Sequence, residues 1–353
     1  MVTLRRPYVR RLLGLASAAA GIALLVLAVP RAAGTQWSAV RASLGQVGAF
    51  HLANLAALAG VYLWAYTYVL SASLPGLTRS RALVLNCTGS AVSNVLPAGG
   101  AAGVAVTYSM TRRWGHPPRA VAASILVTGV CNVLARLVVS TAGVLVLAGL
   151  SLPGTGWAAD AGTALLAACL SSGGLWLLRQ PLRRAVRHCA PARLFQGPAA
   201  STAVRMRRLA RRCRHDCHAV WLRSWPRLVG GMAGTLAAQG LLFLACLRVT
   251  GAGTGLGPAA AVFAASRLLT QIGITPGGIG VTESAAAFAL VALGGAPAAV
   301  ASSMLLYAAF THLLEILLGC LTGAYFLLRE GRRARRPAAA TTTRDPSQPP
   351  AHL

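Results

Sequence analysis

Four ionisable residues buried in apolar sequence are where this chain's chemistry can lie. The 353 residues include only six carboxylates, and two of them, Glu283 and Glu315, fall at membrane depth. Arg136 and Arg267 do the same among 33 basic residues, all of them arginine. A charge at the centre of a bilayer costs about 2.5–3.5 kcal/mol on insertion scales, so such groups pair, face a wet cavity, or serve a function. Arg136 and Glu315 lie 179 positions apart. An Arg136–Glu315 ion pair near the midplane is the simplest way to make both charges tolerable. It reads either as a register-holding structural pair or as a gating and headgroup-binding pair. Glu283 lies three residues past Gly280 and opens a half-helix over 281–293, where a carboxylate is favoured by the helix dipole and free N–H groups. It reads either as a cap or as a group that contacts a cationic headgroup or pairs with Arg267.

Two apolar runs are interrupted. The run 82–110 is broken at Leu96-Pro97-Ala98-Gly99-Gly100, and the run 258–293 at Thr275-Pro276-Gly277-Gly278-Ile279-Gly280. Proline and paired glycine end helices and leave backbone groups without partners. In hydrocarbon such a break is tolerated only inside protein or beside water. Each half-run is too short to span, so each broken run is expected to be a re-entrant hairpin. Half-helices starting after Gly100 and Gly280 would then present positive ends to a shared cavity, the arrangement that receives anionic groups in inverted-repeat transporters. Asn94, Ser93 and Thr275 would add polar contacts, with Thr282 capping the second half-helix. Glycines at 99 and 278 either admit a phosphate to the backbone or permit tight packing.

No metal site is expected. His312 and Glu315 share a helical face but are too few, and Cys213-Arg-His-Asp-Cys-His218 packs its ligands too closely. Nothing resembles a nucleotide-binding loop or a catalytic triad, and no cofactor is expected. The eight cysteines form no framework; five sit in apolar runs.

The elements that must position these residues follow from composition. The chain is 56% hydrophobic and 11% charged, with a mean hydropathy of +0.62. A soluble domain carries about 25% charged residues, so a soluble enzyme, a secreted disulfide scaffold and a disordered protein are excluded. Apolar runs over 12–29, 47–70, 82–110, 120–149, 158–178, 228–249, 258–293 and 299–328 have the length that crosses a bilayer. Shifting the sequence by the 179 positions that separate Arg136 from Glu315 places Pro97 on Pro276, Gly99 on Gly278, Gly115 on Gly294 and Pro118 on Pro297. The repeating units are about 50–150 and 229–329. If both hairpins return to their starting side, 28 arginines lie on the cytoplasmic face and three outside (Arg31, Arg41, Arg248), with two at membrane depth. That asymmetry is what the positive-inside rule demands. The expected fold is an all-α integral membrane protein: an inverted-repeat bundle of six transmembrane helices plus two re-entrant helical hairpins, termini cytoplasmic, in the cell membrane. One domain covers 1–330, with an Arg-rich cytoplasmic loop at 179–227 carrying an amphipathic helix on anionic lipid. The tail 331–353 is expected to be disordered. The net charge of +27 then reflects topology and not nucleic acid.

The stretches Leu96-Pro-Ala-Gly-Gly-Ala-Ala-Gly103, after Asn94, and Thr275-Pro-Gly-Gly-Ile-Gly-Val-Thr-Glu283 resemble the paired signatures of the lysylphosphatidylglycerol synthase transmembrane, or flippase-like, family. The resemblance extends over about 10–330. It implies a protein that moves a phospholipid or a polyprenyl-linked lipid between leaflets. The aminoacyltransferase domain of the synthases does not follow the last span, so lipid aminoacylation is not expected and the chain is read as no enzyme. Where family members often carry arginine after the tyrosine of the final span, this chain has Tyr307-Ala308. Substrate-binding residues under this reading are Asn94, Pro97, Gly99, Gly100, Arg136, Arg267, Thr275, Pro276, Gly277, Gly278, Gly280, Glu283 and Glu315. The partners implied are membrane lipids with anionic or polyprenyl-phosphate headgroups. The alternative is a non-transporting membrane partner of a glycosyltransferase, or of another lipid-modifying enzyme, in lipid-linked glycan synthesis or export.

Overall fold

The computed structural model describes residues 6–96, 99–151, 198–270 and 278–335, and every regular element among them is helical. In chain order these are α1 (Arg6–Ala32), α2 (Trp37–Gly45), α3 (Ala49–Ser73), α4 (Arg79–Val95), α5 (Gly99–Arg113) and α6 (Pro118–Ser151). Then come α7 (Pro198–Val249), α8 (Leu256–Leu269), α9 (Val281–Ala292), α10 (Pro297–Ala308), a π-helical turn (Ala309–Leu313) and α11 (Leu314–Arg335).

Four stretches are long and apolar enough to cross a bilayer: Ala49–Ser73, Pro118–Gly149, Arg211–Val249 and Pro297–Glu330. A fifth exists if Ala19–Ala32 and Trp37–Gly45, bent by 98° at the break between them, count as one span. The expected span over 158–178 lies outside the described residues. The chain is a multi-pass membrane protein in this sense, and its surface agrees. Phe50, Val138 and Phe288 are 77%, 69% and 67% exposed, while Thr67, Ser73, Ser302 and Ser303 are fully buried. The buried hydroxyls are satisfied locally, as where Ser302 Oγ donates to the Ala298 carbonyl at 2.8 Å.

Local sequence sets the helix ends. Thr78 caps α4 by accepting the Arg81 N–H, and proline opens both α6 (Pro118) and α10 (Pro297). The helices before those prolines end alike. The Gly115 N–H donates to the Arg112 carbonyl and the His116 N–H to that of Thr111; Gly294 to Val291 and Gly295 to Leu290 repeat the pattern 179 residues on. Gly115 and Gly294 share the same φ of +89°.

Small residues bring the helices together, as expected where lipid supplies no hydrophobic drive between them. α3 and α7 run antiparallel, with Gly231 against Val69 and Gly234 facing Ala65. Gly143 on α6 lies against Ala264 and the Ala261 carbonyl of α8, and Gly319 on α11 against Ala91 and the Cys87 carbonyl of α4. α4 and α5 form an antiparallel hairpin, in which Gly89 faces Thr107 and Gly103 faces Ser93. A core of aromatic rings closes the other half, where Phe243 meets Tyr307 edge-on at 5.3 Å and Phe263 at 5.5 Å.

Residues 37–45 form helix α2, bent by 98° from α1. Two expectations are corrected. The Arg-rich segment does not carry a separate surface helix: α7 runs unbroken from Pro198 to Val249 through Pro226. Proline there deprives only the carbonyl of Leu222, a residue 61% exposed, and the flanking turns hold the helix together. The run 299–328 is not one α-helix, since the π turn at Ala309–Leu313 interrupts it. At the C-terminus α11 continues through Arg335, and 336–353 lie outside the described residues.

Candidate functional site

The two broken runs and the long helices enclose a cavity of about 810 Å³. α3 contributes Tyr62 and Tyr66, α4 Asn86, Ser90, Ser93 and Asn94, and α5 its first turn at Gly99 and Gly100. α6 adds Thr128, Asn132 and Arg136, α8 adds Arg267 and Thr270, and Gly278 lies in the wall before α9. Thr107 of α5, Thr235 of α7, Thr311 and His312 of the π turn, and Glu315 just after it, complete the polar lining among the described residues. A π turn widens the helix by one residue, and His312 and Glu315, at i and i+3, both face this space.

The charges in this cavity do not meet as expected. Glu315 accepts from Tyr62 Oη at 2.8 Å and from Asn94 Nδ2 at 3.3 Å. Arg136 donates through Nη1 to Thr270 Oγ1 at 2.7 Å and through Nε to Asn132 Oδ1 at 3.1 Å. No ion pair joins them within 4.0 Å among the described residues, so the Arg136–Glu315 pair is replaced by two separate polar clusters. Geometry explains the exchange: neutral groups on neighbouring helices, and Asn132 one turn back on α6, satisfy each charge where it stands.

Arg267 is 6% exposed. Its Nη2 donates to Ser266 Oγ at 3.2 Å, its guanidinium lies 4.7 Å from the Phe263 ring centre, and its Nε has no partner among the described residues. Thr270 links the two arginines, since its hydroxyl accepts from Arg136 and donates to the Arg267 carbonyl at 2.7 Å. One side of the cavity therefore carries two guanidiniums with no carboxylate partner among the described residues.

Glu283 sits behind this wall, 2% exposed. Its Oε2 accepts the Gly280 N–H at 2.7 Å, and its Oε1 lies 3.2 Å from His312 Nε2. Its partner is His312 and not Arg267. The capping reading of Glu283 is the geometry observed, but Thr282 is not the cap: Gly280 is, and Thr282 Oγ1 has no partner among the described residues. The positive end of α9 is thus occupied by its own carboxylate and is not open to a headgroup. Gly280 is required twice, by its φ of +84° and by Leu24 of α1, 2.9 Å from where a Cβ would stand.

Of the predicted site residues, Asn94, Gly99, Gly100, Arg136, Arg267, Gly278 and Glu315 share the cavity wall. Gly280 and Glu283 stand behind it. Pro97, Thr275, Pro276 and Gly277 lie outside the described residues. The glycines of the first hairpin act through packing: a Cβ at Gly99 would overlap the Ser93 carbonyl, and one at Gly103 the Ser93 hydroxyl. Sequence reading missed Tyr62, Tyr66, Asn132 and Thr270. Polar residues within apolar runs were the available signal, but nothing in the sequence distinguishes those that face a cavity from those bonded to their own helix.

Residues 12–319 match the family described as lysylphosphatidylglycerol synthase TM region. No curated protein matches the sequence.

Proposed function

The chain belongs to the lysylphosphatidylglycerol synthase transmembrane family, and from that premise we propose that it moves an anionic lipid between leaflets, the headgroup passing through the polar cavity while the tails stay in the bilayer. The family places the chain among membrane proteins of lipid metabolism or transport; translocation is the finer reading. The observation that carries it is a polar cavity holding two guanidiniums, the buried Arg267 and the half-buried Arg136, without carboxylate partners among the described residues, inside helices whose outer faces are apolar. A phosphate or phosphodiester is the complement of two arginines and a threonine hydroxyl. Its binding would exchange hydration for charge-assisted hydrogen bonds, which individually contribute about 1.5–3 kcal/mol.

In this reading the architecture is the inverted repeat, with six spans and two re-entrant hairpins, in the cell membrane with both termini cytoplasmic. Three features support it. Helices α5 and α9 end in the same hydrogen-bond pattern 179 residues apart. α3 and the apolar part of α7, which are repeat equivalents, pack antiparallel with Gly231 against Val69 and Gly234 facing Ala65, as a two-fold axis in the membrane plane requires. Glycine-mediated contacts of α6 with α8 and of α4 with α11 are also exchanged by the repeat.

The test is lipid exchange in reconstituted vesicles carrying fluorescent phosphatidylglycerol, with reduction of outer-leaflet label as the readout. The proposal predicts protein-dependent exchange that Arg136→Ala and Arg267→Ala each reduce at least about tenfold, the loss of one charge-assisted bond. Exchange by empty vesicles at the same rate would refute it. Stoichiometric lipid binding without exchange would favour the alternative, a membrane partner that presents lipid-linked substrate to a transferase.

A further inference from the structure

We infer that His312 is a proton-binding site, and that the cavity takes up a proton together with its anionic headgroup. The inference rests on the anion-binding reading above. It starts from one unsatisfied atom. Glu283 is bonded to the imidazole through Nε2, so the neutral ring carries its proton there and directs it at the carboxylate. Nδ1 is then a bare lone pair, and it has no hydrogen-bond partner among the described residues. A buried acceptor left open inside a bundle demands an explanation. Here it belongs to a residue that also lines the cavity. His312 is the side chain joining that cavity to the carboxylate capping α9, and it sits in the π turn, where the helix departs from regular geometry.

The local charge balance gives the direction of coupling. The groups around the ring are the carboxylates of Glu283 (α9) and Glu315 (α11), the guanidiniums of Arg136 (α6) and Arg267 (α8), and the phenols of Tyr62 (α3) and Tyr307 (α10). The thiols of Cys87 (α4) and Cys246 (α7) lie behind them. With a neutral imidazole the two arginines and two glutamates cancel. A bound phosphodiester adds one negative charge to this cavity, and among the described residues the uncharged base able to answer it in place is Nδ1 of His312. Protonation there makes a second donor while Nε2–H keeps its bond to Glu283. The step is a simple association: one proton from cavity water joins the Nδ1 lone pair, and no bond is broken. By reciprocity, wherever binding takes up a proton the anion must bind more tightly as pH falls, by up to about tenfold per unit for one coupled proton.

The experiment is calorimetric titration of the full chain in neutral detergent with monomeric dihexanoyl phosphatidylglycerol. It is run near pH 7 in buffers of different ionisation enthalpy, so that the buffer dependence counts protons. Short-chain monoacylglycerol serves as the uncharged control. The inference predicts net uptake of about 0.3–1 proton per lipid bound in the wild type, falling below about 0.1 in His312→Gln, with none on the uncharged control. Glu283→Gln, which leaves the imidazole without its counter-charge, is expected to lower the count as well. Binding of phosphatidylglycerol with no proton uptake by the wild type overturns the inference and leaves the anion site standing. Unchanged uptake in His312→Gln assigns the proton elsewhere and also overturns it. Absence of phosphatidylglycerol binding removes the anion site, and the proton site falls with it. A wild-type count of zero overturns the inference even if a variant fails to fold, and Glu283→Gln gives a second variant if His312→Gln does not fold.

Discussion

Truncating Glu283 to alanine removes the most deeply buried carboxylate among the described residues, and its cost can be worked from two bonds. The first is the 2.7 Å bond from the Gly280 N–H, which makes Glu283 the N3 partner of a helix whose capping residue has no side chain. Loss of a cap costs about 1 kcal/mol. Because the Gly280 N–H is then left buried and unpaired, losing this one bond costs about 1–3 kcal/mol in all. The second is the 3.2 Å contact with His312, whose Nε2–H would also lose its acceptor. Together the expected loss is about 2–4 kcal/mol for Glu283→Ala. Glu283→Gln keeps one oxygen for Gly280 but turns an amide or a weaker acceptor toward the imidazole, so about 1 kcal/mol is expected. The assay is reversible unfolding by dodecyl sulfate titration in mixed micelles, followed by tryptophan fluorescence and run as a double-mutant cycle with His312→Ala. The two residues share a bond, so their effects should be non-additive by at least about 0.5 kcal/mol. A Glu283→Ala variant within about 0.5 kcal/mol of wild type, or strict additivity, would refute the assignment of Glu283 as the cap held by His312.

The remaining predictions concern other contacts. Gly319→Leu must displace α11 from α4, since even a Cβ overlaps Ala91 and the Cys87 carbonyl; a loss above about 2 kcal/mol is expected, whereas Gly149→Leu, with nothing within 4 Å of its Cβ position, should leave unfolding unchanged. Tyr62→Phe removes the 2.8 Å donor to Glu315 and should cost about 1–3 kcal/mol in the same titration; a neutral effect would show that the bond contributes nothing. Outside the spans, burial and then the nearby Arg81 hold the His116 imidazole below its usual range. A base whose folded value is depressed binds more protons unfolded, so its contribution is full above the unfolded value near 6.5 and is lost as pH falls through that region. His116→Asn should therefore lose part of the acid destabilisation between about pH 7 and pH 5, and an identical pH profile would count against this.

Much of the fold was readable because proline and glycine act locally. Pro97 with Gly99, and the Thr275–Gly280 stretch, broke two apolar runs where α4, α5, α8 and α9 end or begin. The 179-residue shift likewise foretold that Gly115 and Gly294 end their helices identically. What could not be read was non-local or cooperative. Glu315 finds Tyr62 across 253 positions and Glu283 finds His312 on another helix, and no periodicity encodes either meeting. The spacing of Arg136 and Glu315 suggested a pair, but each is satisfied by a hydroxyl or amide that stands closer. The π turn leaves no signature in residue type, because Ala309-Phe-Thr-His-Leu313 is ordinary helical sequence. Continuity of α7 through Pro226 was masked by the change from arginine-rich to apolar composition, which marks where the helix leaves the water and not where it stops.

The central claim is a water-filled cavity inside the bundle, and thiol labelling tests it most directly. In a cysteine-free background, single cysteines at Ser93 and Thr270, which line the cavity, are compared with cysteines at Val138 and Phe288, which lie on the outer apolar surface. A membrane-impermeant maleimide applied to both faces of native membranes should label the first pair, and added phosphatidylglycerol should slow that labelling. The second pair should stay unlabelled. Equal protection of all four positions would mean that the cavity holds no water, and the account of lipid passage would be wrong.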